Sequence, residues 1–297
     1  MYDTIIIGAG PAGLTSAIYL RRANKSVLVL ESKGFGGQIA SADKVENYPG
    51  IARISGFELA ENLYSQAKSM GTEIRFEEVL SVHKDKTVQT SGGVYHAKTV
   101  IIANGAAKRK LNLDKESDFI GKGVSYCATC DGGFFKGKTV TVVGGGNAAL
   151  EDALYLSGVA EQVYLIHQFD EFNGEDMYRE ELSRKSNVSF MMKSTVTEIK
   201  GSAKLEAVTV TDSSGHRREL RTDGLFIAIG QEPKNQAFAN VAELDDAGYI
   251  KCKNSVYTGT DGIFAAGDTR EKELRQLTTA VSDGSLAATA ALKNMKG

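Results

Sequence analysis

Two glycine-rich hexapeptides constrain the architecture of this chain more than any other feature. Gly8-Ala9-Gly10-Pro11-Ala12-Gly13 and Gly144-Gly145-Gly146-Asn147-Ala148-Ala149 stand 136 residues apart. Each follows a short β-branched run and opens a segment of helical period. Thr4–Ile7, Ala12–Arg22 and Ser26–Leu30 therefore read as strand, helix and strand. Thr139–Val143, Ala148–Leu156 and Gln162–Ile166 repeat that order. In such a βαβ turn the glycines permit a tight bend and a close backbone approach to a pyrophosphate. The helix N-terminus then presents its partial positive charge to the phosphates.

Alternating segments follow each unit: Val79–Lys84, Thr87–Thr90 and Val94–Ala97, then Thr195–Lys200, Leu205–Thr211 and Arg217–Leu220. These read as antiparallel meanders inserted into doubly wound sheets. The predicted fold class is α/β, with two Rossmann-like three-layer domains of the FAD/NAD(P)-binding type. The polar stretches Asn112–Ser117 and Gln231–Gln236 are the expected crossings. They divide the chain into a discontinuous first domain, 1–113 with 234–297, and a second domain, 114–233. Leu277–Lys296 reads as a helix belonging to the first domain.

Net charge is -2, so no bulk attraction to nucleic acid or to an anionic membrane is expected. No run of about 18 apolar residues occurs, and the N-terminus enters a strand without a basic leader. The expected compartment is the cytoplasm.

Cys127-Ala128-Thr129-Cys130-Asp131 lies between the two nucleotide-type turns. A structural zinc site needs about four ligands. Only Cys252 remains, 122 residues beyond Cys130, and His83, His96, His167 and His216 lack finger spacing, so no metal is expected. An inert buried pair is the bland alternative; a redox dithiol is the expected one.

Glu31 ends the second strand, 18 residues after Gly13, where an acid accepts from a ribose hydroxyl. Phe264-Ala265-Ala266-Gly267-Asp268 supplies a late strand ending in Gly-Asp. With Gly36-Gly37-Gln38, Val45-Glu46-Asn47-Tyr48-Pro49-Gly50, Cys127–Asp131 and Arg275-Gln276, the chain resembles the low-molecular-weight thioredoxin reductases over nearly its whole length. One departure is Asn104 in Ala103-Asn104-Gly105, where the family usually has Thr.

The resemblance implies FAD in the first domain, held by Gly8, Gly10, Pro11, Ala12, Gly13, Glu31, Gly37, Gln38, Asn47, Gly267, Asp268, Arg275 and Gln276. It implies that Cys130 faces the flavin, that Cys127 attacks the thioredoxin disulfide, and that Asp131 protonates the departing thiolate. Asp131 read by itself is equally a cap on the turn before Gly132-Gly133. A homodimer and a rotation between domains are also implied, and Cys252 reads as a bystander.

The second turn keeps its glycines and loses its discriminator. Arginines after the second strand favour the 2′-phosphate of NADP, and an acid favours NAD. The family has His-Arg-Arg and a further Arg four residues on; here stand His167-Gln168-Phe169 and Asn173. His167–Tyr178 contains Asp170, Glu171, Glu175 and Asp176 and no Lys or Arg. Each Arg–phosphate contact set is worth about 1.5–3 kcal/mol, so three losses cost orders of magnitude in affinity. Arg179 or Arg184 reaching back is the alternative.

This pattern resembles the ferredoxin-dependent flavin thioredoxin reductases. Ferredoxins reach about -400 mV. Thioredoxin sits near -270 mV, so an electron pair falls about 130 mV, or about 6 kcal/mol. Ferredoxin or flavodoxin is therefore the expected donor; Lys108-Arg109-Lys110 reads as an ordinary solvated face, with a docking run for an acidic donor as the alternative. Three further readings stay open: an NADPH-dependent thioredoxin reductase with atypical contacts, a redox-sensing flavoprotein without turnover, and a ferredoxin–NADP reductase relative.

Overall fold

The computed structural model describes residues 1–42 and 45–296, and of Cys130 the backbone alone. The fold is α/β, in two compact units: 1–107 with 232–297, and 108–231.

In the first unit, five strands run parallel in the order Glu73–Phe76, Val27–Glu31, Tyr2–Ile7, Val94–Ile102, Ile263–Ala265. Ile6 pairs with Val29 on one side and Ile101 on the other, and all three are fully buried. Such a strand is covered on both faces, which is why its sequence is continuously apolar.

Val94–Ala97 is not a separate meander strand, as its alternation predicts. It begins a nine-residue strand, Val94–Ile102. Its first half pairs antiparallel with Thr87–Thr90, and its second half pairs parallel with Tyr2–Ile7. The change comes where alternation gives way to the buried run Thr99–Ile102.

Helix Gly56–Ser69 is an element the sequence reading passed over. Its start is marked by Ser55, whose hydroxyl accepts from the Glu58 N–H at 3.1 Å. The helix Leu277–Asn294 packs on Pro11–Arg22, where the Ser16 hydroxyl donates to the Gly284 carbonyl at 2.9 Å.

In the second unit the parallel order is Val188–Met191, Gln162–Ile166, Thr139–Val143, Gly224–Ile227, Val124–Ser125. Ser194–Gly201, Leu205–Asp212 and Arg217–Arg221 form a separate antiparallel sheet.

Residues 108–113 pack in the second unit, not with the first domain as their polarity predicts. Leu111 and Leu113 rest against the apolar cluster of Phe119, Val124 and Leu225. Buried Glu116 holds that stretch down, accepting from the Leu111 N–H at 3.1 Å and the Leu113 N–H at 3.2 Å.

Candidate active site and nucleotide turns

The first turn has the geometry of a phosphate-binding turn. Gly8 has φ +108°, and a Cβ there would lie 2.3 Å from the Ala103 carbonyl oxygen, so only glycine fits. Gly10 caps the helix Pro11–Arg22 in an extended conformation without a side-chain bond, which leaves the first helical N–H groups to a ligand. Gly37 closes on the same spot; a Cβ on it would lie 3.4 Å from the Gly10 Cα. Ala12 is buried beneath the turn. Glu31 is fixed at its strand end by the Ala9 N–H at 2.8 Å and the Lys33 N–H at 3.0 Å.

The other residues expected at this site lie in the same unit. Gln38 Nε2 donates to the Ala106 carbonyl at 2.9 Å. Asn47 Nδ2 donates to Gln276 Oε1 at 3.2 Å, and Gln276 caps the helix that begins at Leu277. The Arg275 guanidinium lies 4.0 Å from the centre of the Tyr249 ring.

Two buried polar atoms here have no hydrogen-bond partner among the described residues: Asp268 Oδ1, 3.3 Å from Lys272 Nζ, and Arg275 Nε. An acceptor, a donor and an open helix N-terminus fit a dinucleotide. Asn104 meets its neighbours without difficulty. Its amide nitrogen donates to the Lys234 carbonyl and to Asn235 Oδ1, at 3.2 and 3.1 Å.

Sequence reasoning missed the buried charges that hold the Gly267-Asp268 loop. Asp283 accepts from the Gly267 N–H at 3.0 Å, from Arg270 Nη2 at 2.6 Å and from Lys272 Nζ at 3.2 Å. The signal was available: Asp283 is a lone acid in an otherwise small and apolar helix.

In the second unit Cys127 is disulfide-bonded and is followed by one helical turn, Ala128–Asp131. The Cys130 side chain, and the flavin-facing role expected of it, lie outside the described residues. The Ser125 hydroxyl accepts from the Cys127 N–H at 3.0 Å and donates to Asp131 Oδ2 at 2.6 Å. Asp131 is therefore tied to the strand end that precedes the dithiol.

A cavity of about 400 Å³ adjoins Cys127 and is lined also by Lys108, Tyr126, Thr129, Glu151 and Asp152. Nothing in the sequence singles out Asp152, since Glu-Asp on a helix reads as a solvated face. Among the described residues no group of three His, Cys, Asp or Glu side chains is arranged to hold a metal ion.

Cys252 is a free thiol in the first unit, and burial pushes it up to about 11. It stays protonated and unreactive at neutral pH. Alkylation of the reduced protein at neutral pH is thus expected to modify Cys127 well before Cys252. Cys252→Ala should change turnover by less than about twofold, as for a substitution away from the working groups.

The second turn carries a different neighbourhood. The His167 ring lies directly on Gly145, where a Cβ would fall 2.2 Å from His167 Cε1. The ring stacks on Phe172 at 5.5 Å and meets Phe169 edge-on at 5.3 Å. The Asn173 and Gly174 N–H groups donate to the Gly145 carbonyl at 2.8 and 3.0 Å. Asn147 and Glu175 clasp each other through bonds of 2.9 and 2.7 Å.

Residues 167–175 are thereby pinned against the turn, with Gln168, Phe169 and Asn173 exposed beside it. The nearby cations are matched by acids: Arg179 with Asp176 at 2.9 Å, Arg184 with Glu180 at 3.7 Å, and Lys193 with Asp170 at 3.3 Å.

The family model for pyridine nucleotide-disulphide oxidoreductases matches residues 2–284. The chain belongs to that family. Among its members it is similar to the thioredoxin reductase of Treponema pallidum (strain Nichols), at 45% identity over 98% of this chain and 96% of that one. The solved thioredoxin reductase of Lactococcus lactis, in its FR conformation, superposes with a TM-score of 0.87 at 36% identity, over 100% of this chain and 99% of the other.

A ferredoxin-flavin thioredoxin reductase from Clostridium acetobutylicum superposes with a TM-score of 0.54 at 34% identity, over 99% of this chain and 98% of the other. This pyridine nucleotide-disulphide oxidoreductase is thus one of the low-molecular-weight thioredoxin reductase type. Among its described residues no helix is long and apolar enough to cross a membrane.

Proposed function

We propose that the chain reduces the disulfide of a thioredoxin, with electrons from a low-potential carrier such as ferredoxin or flavodoxin. Its cofactor is FAD. FAD supplies a relay between one-electron carriers and a two-electron disulfide. Gly8, Gly10, Pro11, Ala12, Gly13 and Glu31 would hold its pyrophosphate and ribose, with Gly37, Gln38, Asn47, Gly267, Asp268, Arg275 and Gln276 along the rest of the molecule. Cys127 is the thiol that attacks the substrate disulfide, through a mixed disulfide.

One observation carries the donor assignment. Gln168, Phe169 and Asn173 stand exposed beside the second glycine turn, among Asp170, Glu171, Glu175 and Asp176. A 2′-phosphate brought there would lose its cationic partners and meet net negative charge. The exposed run Lys108-Arg109-Lys110 suits an acidic donor instead.

The test is anaerobic bleaching of the bound flavin. Millimolar NADPH should leave the yellow absorption intact. Reduced ferredoxin should bleach it, at a rate that falls as salt rises. Gln168→Arg, Phe169→Arg and Asn173→Arg together should confer bleaching by NADPH. Rapid bleaching of the parent protein by NADPH would instead support an NADPH-dependent enzyme.

A further inference from the structure

Reduced Cys127 must lose a proton before it can attack. A sulfur leaving the substrate disulfide must gain one, unless it is stable as a thiolate. The resemblance offers Asp131 for this work, yet one of its carboxylate oxygens is already occupied by the Ser125 hydroxyl at 2.6 Å. The cavity beside Cys127 offers another carboxyl group. Asp152, on the helix Asn147–Ser157, lines it together with Cys127.

We infer that Asp152 and Cys127 share one proton: it moves to Asp152 when Cys127 becomes a thiolate, and passes from Asp152 to the sulfur that leaves the substrate. This deepens the proposed function and rests on Cys127 being the attacking thiol.

The atoms and electrons balance. The Cys127 thiolate forms a bond to one sulfur of the substrate disulfide, and the substrate S–S bond breaks. The departing sulfur takes the electron pair of that bond and the proton held by Asp152. The second thiol of the pair then attacks the Cys127 sulfur of the mixed disulfide, and the bound substrate sulfur leaves with the electron pair of that bond and the second thiol's proton. That step restores the enzyme disulfide and releases the substrate as a dithiol. Overall the substrate gains two electrons and two protons, both lost by the enzyme dithiol.

The surroundings of Asp152 suit a group that exchanges protons near neutrality. Burial pushes its carboxyl up to about 7; Lys108 opposes the rise and Glu151 adds to it. Lys108, Tyr126, Cys127 and Glu151 are the titratable groups that line the cavity with it. Glu151 is itself engaged by the Tyr178 hydroxyl. Among the described residues no hydrogen bond to the Asp152 carboxyl accompanies these influences.

Two small disulfides separate proton transfer from simple integrity of the site. The nitrobenzoate disulfide DTNB releases a thiolate stable without a proton, whereas hydroxyethyl disulfide releases a basic one. The flavin-loaded protein is reduced with dithiothreitol, freed of excess reductant without air, and mixed with each in a single turnover. Asp152→Asn should slow the reaction with hydroxyethyl disulfide by about 10²-fold. It should change the DTNB rate by less than about threefold. Equal losses on both, or loss on neither, would overturn the inference.

Lys108→Met gives a check that does not require the Asp152 variant to fold. The active form carries one proton on the Asp152–Cys127 pair, so the hydroxyethyl disulfide rate is bell-shaped in pH. A cation favours deprotonation of both groups, and its removal should move the bell to higher pH. An unmoved bell would overturn the inference. These reactions need neither thioredoxin nor an electron donor. A parent protein that reduces both small disulfides but not thioredoxin would therefore overturn the proposed function and leave the proton assignment standing.

Discussion

Cys127→Ser is expected to end thioredoxin reduction while leaving the flavin reducible by its donor. Serine removes both the disulfide that accepts electrons and the thiolate that attacks. Its hydroxyl is not ionised at neutral pH, and a carboxylate is far too weak a base to ionise it. Loss of a covalent nucleophile costs on the order of 10⁴-fold or more. Thioredoxin reduction measured with the donor in excess should fall to background. The flavin content of the purified protein should be that of the parent, because Cys127 lies in 108–231 and the residues proposed to hold the flavin lie in the other unit. Turnover within tenfold of the parent would remove Cys127 from the reaction.

Gly13→Ala is the second large effect, and it reaches the flavin through the backbone. A Cβ at Gly13 would sit 1.9 Å from the Gly8 carbonyl oxygen and 3.3 Å from Ile6 Cγ2. The near atom is backbone at the end of a buried strand, so it cannot swing aside; strand and helix must part. Overpacking of this kind typically costs about 1–3 kcal/mol. Separating the strand end from the helix also spoils the phosphate turn.

Purified Gly13→Ala should be colourless, with a lowered melting temperature. Gly10→Ala is the contrasting case. A Cβ there meets nothing nearer than the Gly37 Cα at 4.0 Å. That variant should melt like the parent and still bind flavin poorly, since the methyl group occupies ligand space. Visible absorbance relative to protein absorbance, with thermal melts, reads both. A yellow Gly13→Ala protein of parental stability would contradict the packing argument.

Much of the fold was legible because it depends on neighbours in sequence. A buried parallel strand, a glycine bend and a helix entry are local events, so both βαβ units could be read from spacing and β-branching. The helix Gly56–Ser69 was legible too, through Ser55 and Glu58, but carries no motif that draws attention to it. Val94–Ile102 was not, because one strand serves two sheets with different partners, and each half follows its own pattern.

The domain crossing was misplaced for a similar reason. Leu111 and Leu113 are two apolar residues in a polar stretch, and only the cluster they meet assigns them. The charges on Arg270, Lys272 and Asp283 were visible in the sequence, but their mutual burial was not.

Only the fold pairs Asp170 with Lys193 and Asp176 with Arg179, but the four acids of 167–178, with no Lys or Arg among them, were determined by the sequence alone. So were the two glycine turns, where bends and close approaches exclude side chains. That a second carboxyl group adjoins Cys127 was decided only by the tertiary structure. Asp131 is four residues away in the chain, yet it is bonded back to Ser125, while Asp152, 25 residues along, lines the cavity with Cys127. Desolvation and proximity arise from packing, and both set where a proton resides.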